Sequence, residues 1–328
     1  MNRTLIFGFA ALLAASGSST DAGAGSTDSF RYRGPCDASA AVALDADHFV
    51  VGNDEDSVLR IYRRGQAQEV ARLDLTTFLG VAPDDEVDIE AAALLGQRIY
   101  WISSHGRDSR GKKAPERRRF FATDIVDGAA GQPPQLRAVG QPYTGLLDAL
   151  ETAKVLKHYK LARAARRAPE DDDGLNIEGL AATPDGQLLI GLRNPLPQRR
   201  ALLIPLTNPA AAIGGQEAQL GPAVELDLGG RGVRSIDRVG SSYLIVAGPP
   251  ADDGTFALYR WSGRTAEAPQ ELSGVDFEDL RPEALFAIPG SPRVQVLSDD
   301  GGVKMAGGTK CKKLPASEQT FRSLILTP

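Results

Sequence analysis

The chain has 328 residues, with 37 Lys and Arg against 42 Asp and Glu, a formal charge of −5 with His neutral. So mild an acidic balance excludes a general nucleic-acid binder held by phosphate contacts. Its 35 Gly and 21 Pro indicate many turns and hence many short strands, while two Cys exclude a Cys-rich zinc framework.

Residues 1–24 carry Arg3, an apolar run from Leu5 to Ala15 and then Ala22-Gly23-Ala24. That order predicts a secretory signal peptide, because the apolar run is too short to span a bilayer. Ser16 stands where a lipoprotein would carry its lipidated Cys, so no lipid anchor is expected. The expectation is a periplasmic or secreted monomer without a membrane span, folded as one domain over 25–328.

Five stretches then share one plan: a polar residue, an apolar run, a turn, a second apolar run and a polar cluster. In chain order they are DASAAVALDADHFVVGNDED (37–56), DIEAAALLGQRIYWISSHGR (88–107), GLNIEGLAATPDGQLLIGLRNP (174–195), GVRSIDRVGSSYLIVAGPP (232–250) and RPEALFAIPGSPRVQVLSDDGG (281–302). Most are followed by two more strand-like runs, such as VLRIYRR and EVARLDL after the first. Repeats of about four strands predict an all-β propeller of five four-stranded blades. The long 120–175 stretch leaves room for a degenerate sixth. A β-sandwich is the alternative, but it does not explain a repeated polar slot.

The slot holds Ser39, Glu90, Glu178, Arg234 and Glu283. In a blade the first strand lines the channel and its neighbour runs antiparallel, so first-strand starts and second-strand ends share one face. The second-strand ends are Asn53-Asp54, Ser104-His105, Leu192-Arg193, Gly248-Pro249 and Asp299-Asp300. All are expected at one channel mouth, where Glu178 would face either a cation or Arg234. The same parity puts two insertions there: a basic loop at 105–119, and residues 144–168, which read as an amphipathic helix capped by Thr144 with a basic face.

No nucleophile elbow, HExxH or P-loop is present. His105 with Arg107, in SSHGRD, is the best catalytic pair, since His exchanges a proton near neutral pH and Arg holds an oxyanion in a fork. Arg193 and Arg234 would hold the same anion. Glu90, Glu178, Glu283, Asp54 and Asp299 would place a divalent cation beside it, and hard oxygen donors suit Ca²⁺ or Mg²⁺. Plainer readings stand beside these. The glutamates could cap amides between blades, His105 could close a strand, and the Asp clusters could be Asx turns. Two functions follow, both with a small anionic substrate or ligand: a metal-assisted hydrolase of phosphate or carboxylate esters, or a non-catalytic binding propeller. Cys36 and Cys311, near the two ends of the repeat, are either one disulfide closing the ring or two separate thiols.

The series DIEAAA, YWISSHGR, GLNIEGLA, LLIGLRNP, LDLGGRGVRSI, YLIVAGP and VLSDDG resembles the bacterial domain-of-unknown-function family 3616, from about Asp37 to Gly302. That resemblance implies a propeller-like fold and little chemistry. The IEGLA…PDG hairpin also resembles esterase-like, phytase-related propellers, which implies phosphoester handling with calcium.

Overall fold

Among the described residues, twenty strands form five antiparallel sheets of four. In the computed structural model, residue 1 and residues 28–328 are described, apart from 172 and 252–253. Apart from Met1, the expected signal peptide lies outside the described residues.

Strand β1 (Asp28–Arg33) comes first in the chain but belongs to the last blade. Blade one is β2 (Ala40–Ala43), β3 (His48–Gly52), β4 (Val58–Arg63) and β5 (Glu69–Asp74). Blade two is β6 (Ile89–Leu95), β7 (Arg98–Ser103), β8 (Phe120–Val126) and β9 (Gln135–Tyr143). Blade three is β10 (Asn176–Ala182), β11 (Leu188–Asn194), β12 (Ala201–Leu206) and β13 (Val224–Leu226). Blade four is β14 (Gly232–Val239), β15 (Ser242–Gly248), β16 (Ala257–Trp261) and β17 (Gln270–Glu271). Blade five is β18 (Pro282–Ala287), β19 (Val294–Ser298), β20 (Thr320–Leu326) and, outermost, β1.

The innermost strands β2, β6, β10, β14 and β18 contact one another in a ring. Successive blades bury their facing apolar residues together, which gives five core clusters for five interfaces. Each fully buried Val, Leu, Ile or Phe there contributes roughly 1.5–3 kcal/mol. Pairing of β1 with β20, from Asp28 opposite Ile325 to Arg33 opposite Thr320, closes the ring. Cys36 and Cys311 are disulfide-bonded with their Cα atoms 5.9 Å apart. Among the described residues no helix is long and apolar enough to cross a membrane.

Short helices α1 (Thr76–Leu79) and α4 (Pro209–Ala212) lie in connections, and α2 (Leu146–Thr152) and α3 (Leu161–Ala164) in the insertion. The single helix expected over 144–168 is therefore corrected. Ala153 is extended, a 3-10 segment runs Lys154–Tyr159, and Lys160 is left-handed before α3. Thr144 does not cap it; Gly145 holds that position without a side-chain bond. The cause is the spacing of the apolar residues. Leu146 and Leu150 share one α-helical face, but Leu156 six residues on would point away from it. Breaking the helix lets Leu146, Leu147, Leu150, Leu156 and Leu161 all enter the core between blades two and three.

Candidate functional site

Four of the five slot residues are β-bulges. Ile89 pairs with Ser103 and Ala91 with Ile102, leaving Glu90 as an extra residue in β6. Glu178 in β10, Arg234 in β14 and Glu283 in β18 are skipped in the same way. Arg193 is the extra residue on β11, since Asn176 pairs with Asn194 and Ile177 with Leu192. A bulge bends its strand and re-aims a side chain. In four of the five blades it interrupts the apolar alternation at a charged residue, and in blade three at two.

These groups form a chain of ion pairs. Arg234 Nε lies 2.9 Å from Glu178 Oε2, and its Nη2 contacts Glu283 Oε1. Arg193 Nη1 lies 3.0 Å from Glu178 Oε1, which also accepts from Asn176 Nδ2 at 2.7 Å. All four charged residues are buried. Burial alone would weaken the Arg234 charge, but Glu178 and Glu283 overcome it and hold the guanidinium protonated. A Cβ on residue 248 would sit 2.6 Å from Arg234 Cγ, so Gly248 leaves the arginine its room. Glu178 thus faces Arg234 and Arg193, as one of the two sequence alternatives had it.

Beside this chain opens a polar cavity of about 510 Å³, whose wall includes Asp37, Asp54, Asp88, Glu90, Asp299, Arg117, Arg193 and Lys312. One carboxylate oxygen from each of Asp54, Asp88 and Glu90 lies within 4.8 Å of the other two. Ser39 Oγ donates to Asp54, and Arg117 Nη1 holds Asp88 at 2.9 Å. Glu90, only 8% exposed, makes no hydrogen bond or ion pair among the described residues. Burial, then the charges of Asp54 and Asp88, push Glu90 well above the usual carboxylate range. Asp54 is raised well above it too, by burial and then by Asp88. Such a trio binds either protons or a cation, and its hard oxygens fit Ca²⁺ or Mg²⁺.

The other expected ligands do not join the trio, although Asp299 lines the same cavity. Glu178 and Glu283 are taken by arginines, as above. Asp299 bridges to Asp37 through an antiparallel backbone pair, and burial followed by the Asp37 charge pushes its carboxyl up to about 7. A Cβ on residue 301 would fall 1.5 Å from Asp37 Oδ1, so only glycine fits beside that pair.

His105 and Arg107 do not join the mouth. His105 is 1% exposed, with Nδ1 bonded to the Ser103 carbonyl at 2.9 Å, and burial lowers it to about 4. Its backbone is left-handed, with φ of 57°, and the residue is not part of the cavity wall. Arg107 donates to the carbonyls of Ala165 and Gly111, both at 3.0 Å, and so staples the basic loop to the helical insertion. Ser109 and Arg117 of the basic loop, and Pro169 and Glu170 directly after the helical insertion, belong to the wall.

Asp88 and Asp37 were not singled out in the sequence, although a signal existed. Two residues before the slot stand Asp37, Asp88, Asn176, Gly232 and Arg281. Four of these five line the cavity. At the fifth, a Cβ on Gly232 would lie 2.1 Å from the Arg193 carbonyl oxygen.

The pattern of the family described as "Protein of unknown function (DUF3616)" matches residues 37–124 and 135–293, well over half of the chain. No curated protein matches. Among solved structures, the PQQ-bound aldose sugar dehydrogenase of Streptomyces coelicolor is 12% identical, over 92% of this chain and 98% of that one, at a TM-score of 0.42. A putative oxidoreductase (glucose dehydrogenase) of Thermus thermophilus is 11% identical over 92% and 100%, also at 0.42. A streptogramin B lyase is 9% identical over 92% and 98%, at 0.37. None of these three is a phytase or an esterase, and likeness this distant carries no argument about activity.

Proposed function

The chain belongs to the DUF3616 family of proteins of unknown function, and from the geometry of its channel mouth we propose an exported, cation-dependent hydrolase of small anionic esters, phosphoesters foremost. The observation that supports this is the Asp54, Asp88 and Glu90 trio, which gathers three buried or half-buried carboxylates on one cavity with Arg117 as the only cation paired to it among the described residues. A divalent ion held there neutralises charge on the non-bridging oxygens of an ester. Arg193 and Lys312 on the same wall would grip the remaining oxyanion. Asp299, at about 7, takes the proton-exchanging role first assigned to His105, because it faces the cavity and titrates near neutral pH.

The non-catalytic binding propeller remains the second reading, favoured by the seclusion of His105 from the cavity. Calorimetric titration of Ca²⁺ and Mg²⁺ into chelator-treated protein, followed by turnover of a generic phosphomonoester and carboxylester, separates the readings. The hydrolase predicts cation binding, ester turnover that chelator abolishes, and loss of both in Glu90→Gln. Cation binding without turnover leaves the binding propeller. No cation binding removes the proposal.

A further inference from the structure

The helical insertion carries a feature that the channel mouth does not use. Lys154, Lys157, Lys160, Arg163 and Arg166 recur every third residue. Over Lys154–Tyr159 the backbone is a 3-10 helix, in which residues three apart eclipse one another. That segment therefore has three rows. Leu156 and Tyr159 form the row turned to the protein, with Leu156 buried and the Tyr159 hydroxyl 2.8 Å from Glu225 Oε1. Lys154 and Lys157 form a second, exposed row, and the exposed Lys160 follows at the left-handed turn that ends the segment. Val155 and His158 form the third, and Val155 is 43% exposed.

All five cations are exposed and make no ion pair among the described residues. Nearby in the fold are three more exposed cations without an ion pair among the described residues, Arg110, Lys112 and Lys113 of the basic loop. The two segments are held together by Arg107, which donates to Ala165 and Gly111. The ridge is rigidly mounted as well, since Leu156, Leu161 and Ala164 belong to the core between blades two and three. Eight cations concentrated on two joined insertions stand out against a chain of formal charge −5. Like charges held this close repel one another, and a polyanionic surface relieves that repulsion.

We propose that this ridge docks the protein on an anionic phospholipid bilayer, with the lysine row at the headgroups and Val155 at their boundary with the acyl chains. The row of cations is complementary in charge to a surface of anionic headgroups. The exposed Val155 beside it decides between polyanions, because an aliphatic side chain gains from the edge of an apolar layer and offers nothing to a nucleic acid or a sulfated polysaccharide. Stacking on bases is poorly served too, since the Tyr159 ring packs on His158 and its hydroxyl is engaged by Glu225. The attachment is peripheral, and it stands independently of any chemistry at the mouth.

Vesicle flotation of the full chain tests it, using phosphatidylcholine alone and phosphatidylcholine with about one-third phosphatidylglycerol at low salt. Binding is expected only to the anionic vesicles, weakening as salt screens the row. The triple variant Lys154→Gln, Lys157→Gln, Lys160→Gln should lose roughly 100-fold in partitioning, taking each lysine at its usual weight near such a surface. Val155→Asp should also weaken binding, at an unchanged thermal midpoint. A charge-matched control, Arg33→Gln, Arg63→Gln, Lys313→Gln, removes three exposed cations elsewhere and should bind like the parent. The proposal is overturned if the parent does not float with anionic vesicles, or if the lysine variant floats as well as the parent. It is overturned equally if the control loses as much as the lysine variant, or if heparin or an oligonucleotide binds more tightly than the vesicles and displaces them.

Discussion

Glu90 and Arg234 occupy the same slot, and opposite outcomes are expected from neutralising them. Arg234 bridges Glu178 and Glu283 in a buried site, so Arg234→Met leaves two buried carboxylates with Arg193 as their remaining described cation. Breaking a buried ion network from one side costs about 3–5 kcal/mol. Urea denaturation should show that loss, and adding Glu283→Gln should recover part of it, because the pair and not the arginine alone sets the cost. Glu90 has no described partner to lose. Burial and the Asp54 and Asp88 charges raise Glu90, so the cation-free fold must hold it protonated at a cost relative to the unfolded chain. Glu90→Gln removes that cost and should stabilise the cation-free protein by roughly 1–3 kcal/mol at neutral pH, while abolishing any gain from Ca²⁺ or Mg²⁺. The slot itself was legible because a charged residue breaks the apolar run at the same point in four repeats. The bulge that causes the break was not legible, since only pairing shows that one residue is extra. Asp37 and Asp88 were hidden because their column also holds Asn, Gly and Arg. For His105, a left-handed backbone and burial against the Ser103 carbonyl keep it out of the cavity wall, and nothing in SSHGRD distinguishes that from an extended strand end.

Among the elements, strands were easier to read than the insertion. Alternating β-branched and aromatic residues between turn signals specify a blade locally, and the same plan repeated five times reinforces the reading. The insertion has no second copy. Its leucines fit one continuous helix only if their six-residue gap between Leu150 and Leu156 is overlooked, and tertiary burial resolves that gap by breaking the helix. Its mounting can be measured. Leu150 is 1% exposed within the core between blades two and three, so Leu150→Ala should cost about 2–5 kcal/mol. Arg107→Ala should cost less, about 1–3 kcal/mol, through the loss of its bonds to the Ala165 and Gly111 carbonyls. Amide hydrogen exchange should then rise in 105–113 and 161–167 together while β10 and β11 stay protected. Faster exchange in only one of the two segments would show that Arg107 does not join them.

At the scale of the whole molecule, closure and charge set the response to conditions. Cys36 and Cys311 are 275 residues apart in sequence, so their bond constrains nearly the whole unfolded chain. Replacing both by Ser should lower stability by about 2–5 kcal/mol, read as a lower urea midpoint, with the β1–β20 pairing left as the ring's closure. The pH response follows from carboxyl groups that the fold holds protonated. Burial pushes Asp237 up to about 6, against its bonds from the Ala287 and Arg238 amides. Burial and the Asp37 charge push Asp299 up to about 7. Both residues titrate near 4 once unfolded. Between about pH 4 and 7 the folded protein therefore binds more protons than the unfolded chain, and stability must fall as pH rises through that window. The raised Asp54, Asp88 and Glu90 add to the same slope. Thermal midpoints in chelator should accordingly be higher at pH 5 than at pH 8, a change on the order of a few kcal/mol. A cation binds the deprotonated trio, so its stabilising effect must have the opposite slope, negligible near pH 5 and growing toward pH 8. Scans with and without Ca²⁺ at the two pH values decide the matter. In Glu90→Gln the Ca²⁺-dependent difference at pH 8 should vanish, while the fall contributed by Asp237 and Asp299 persists. A midpoint that rises with pH in chelator, or a Ca²⁺ effect equal at both pH values, would mean that these carboxyl groups do not hold their protons in the folded state.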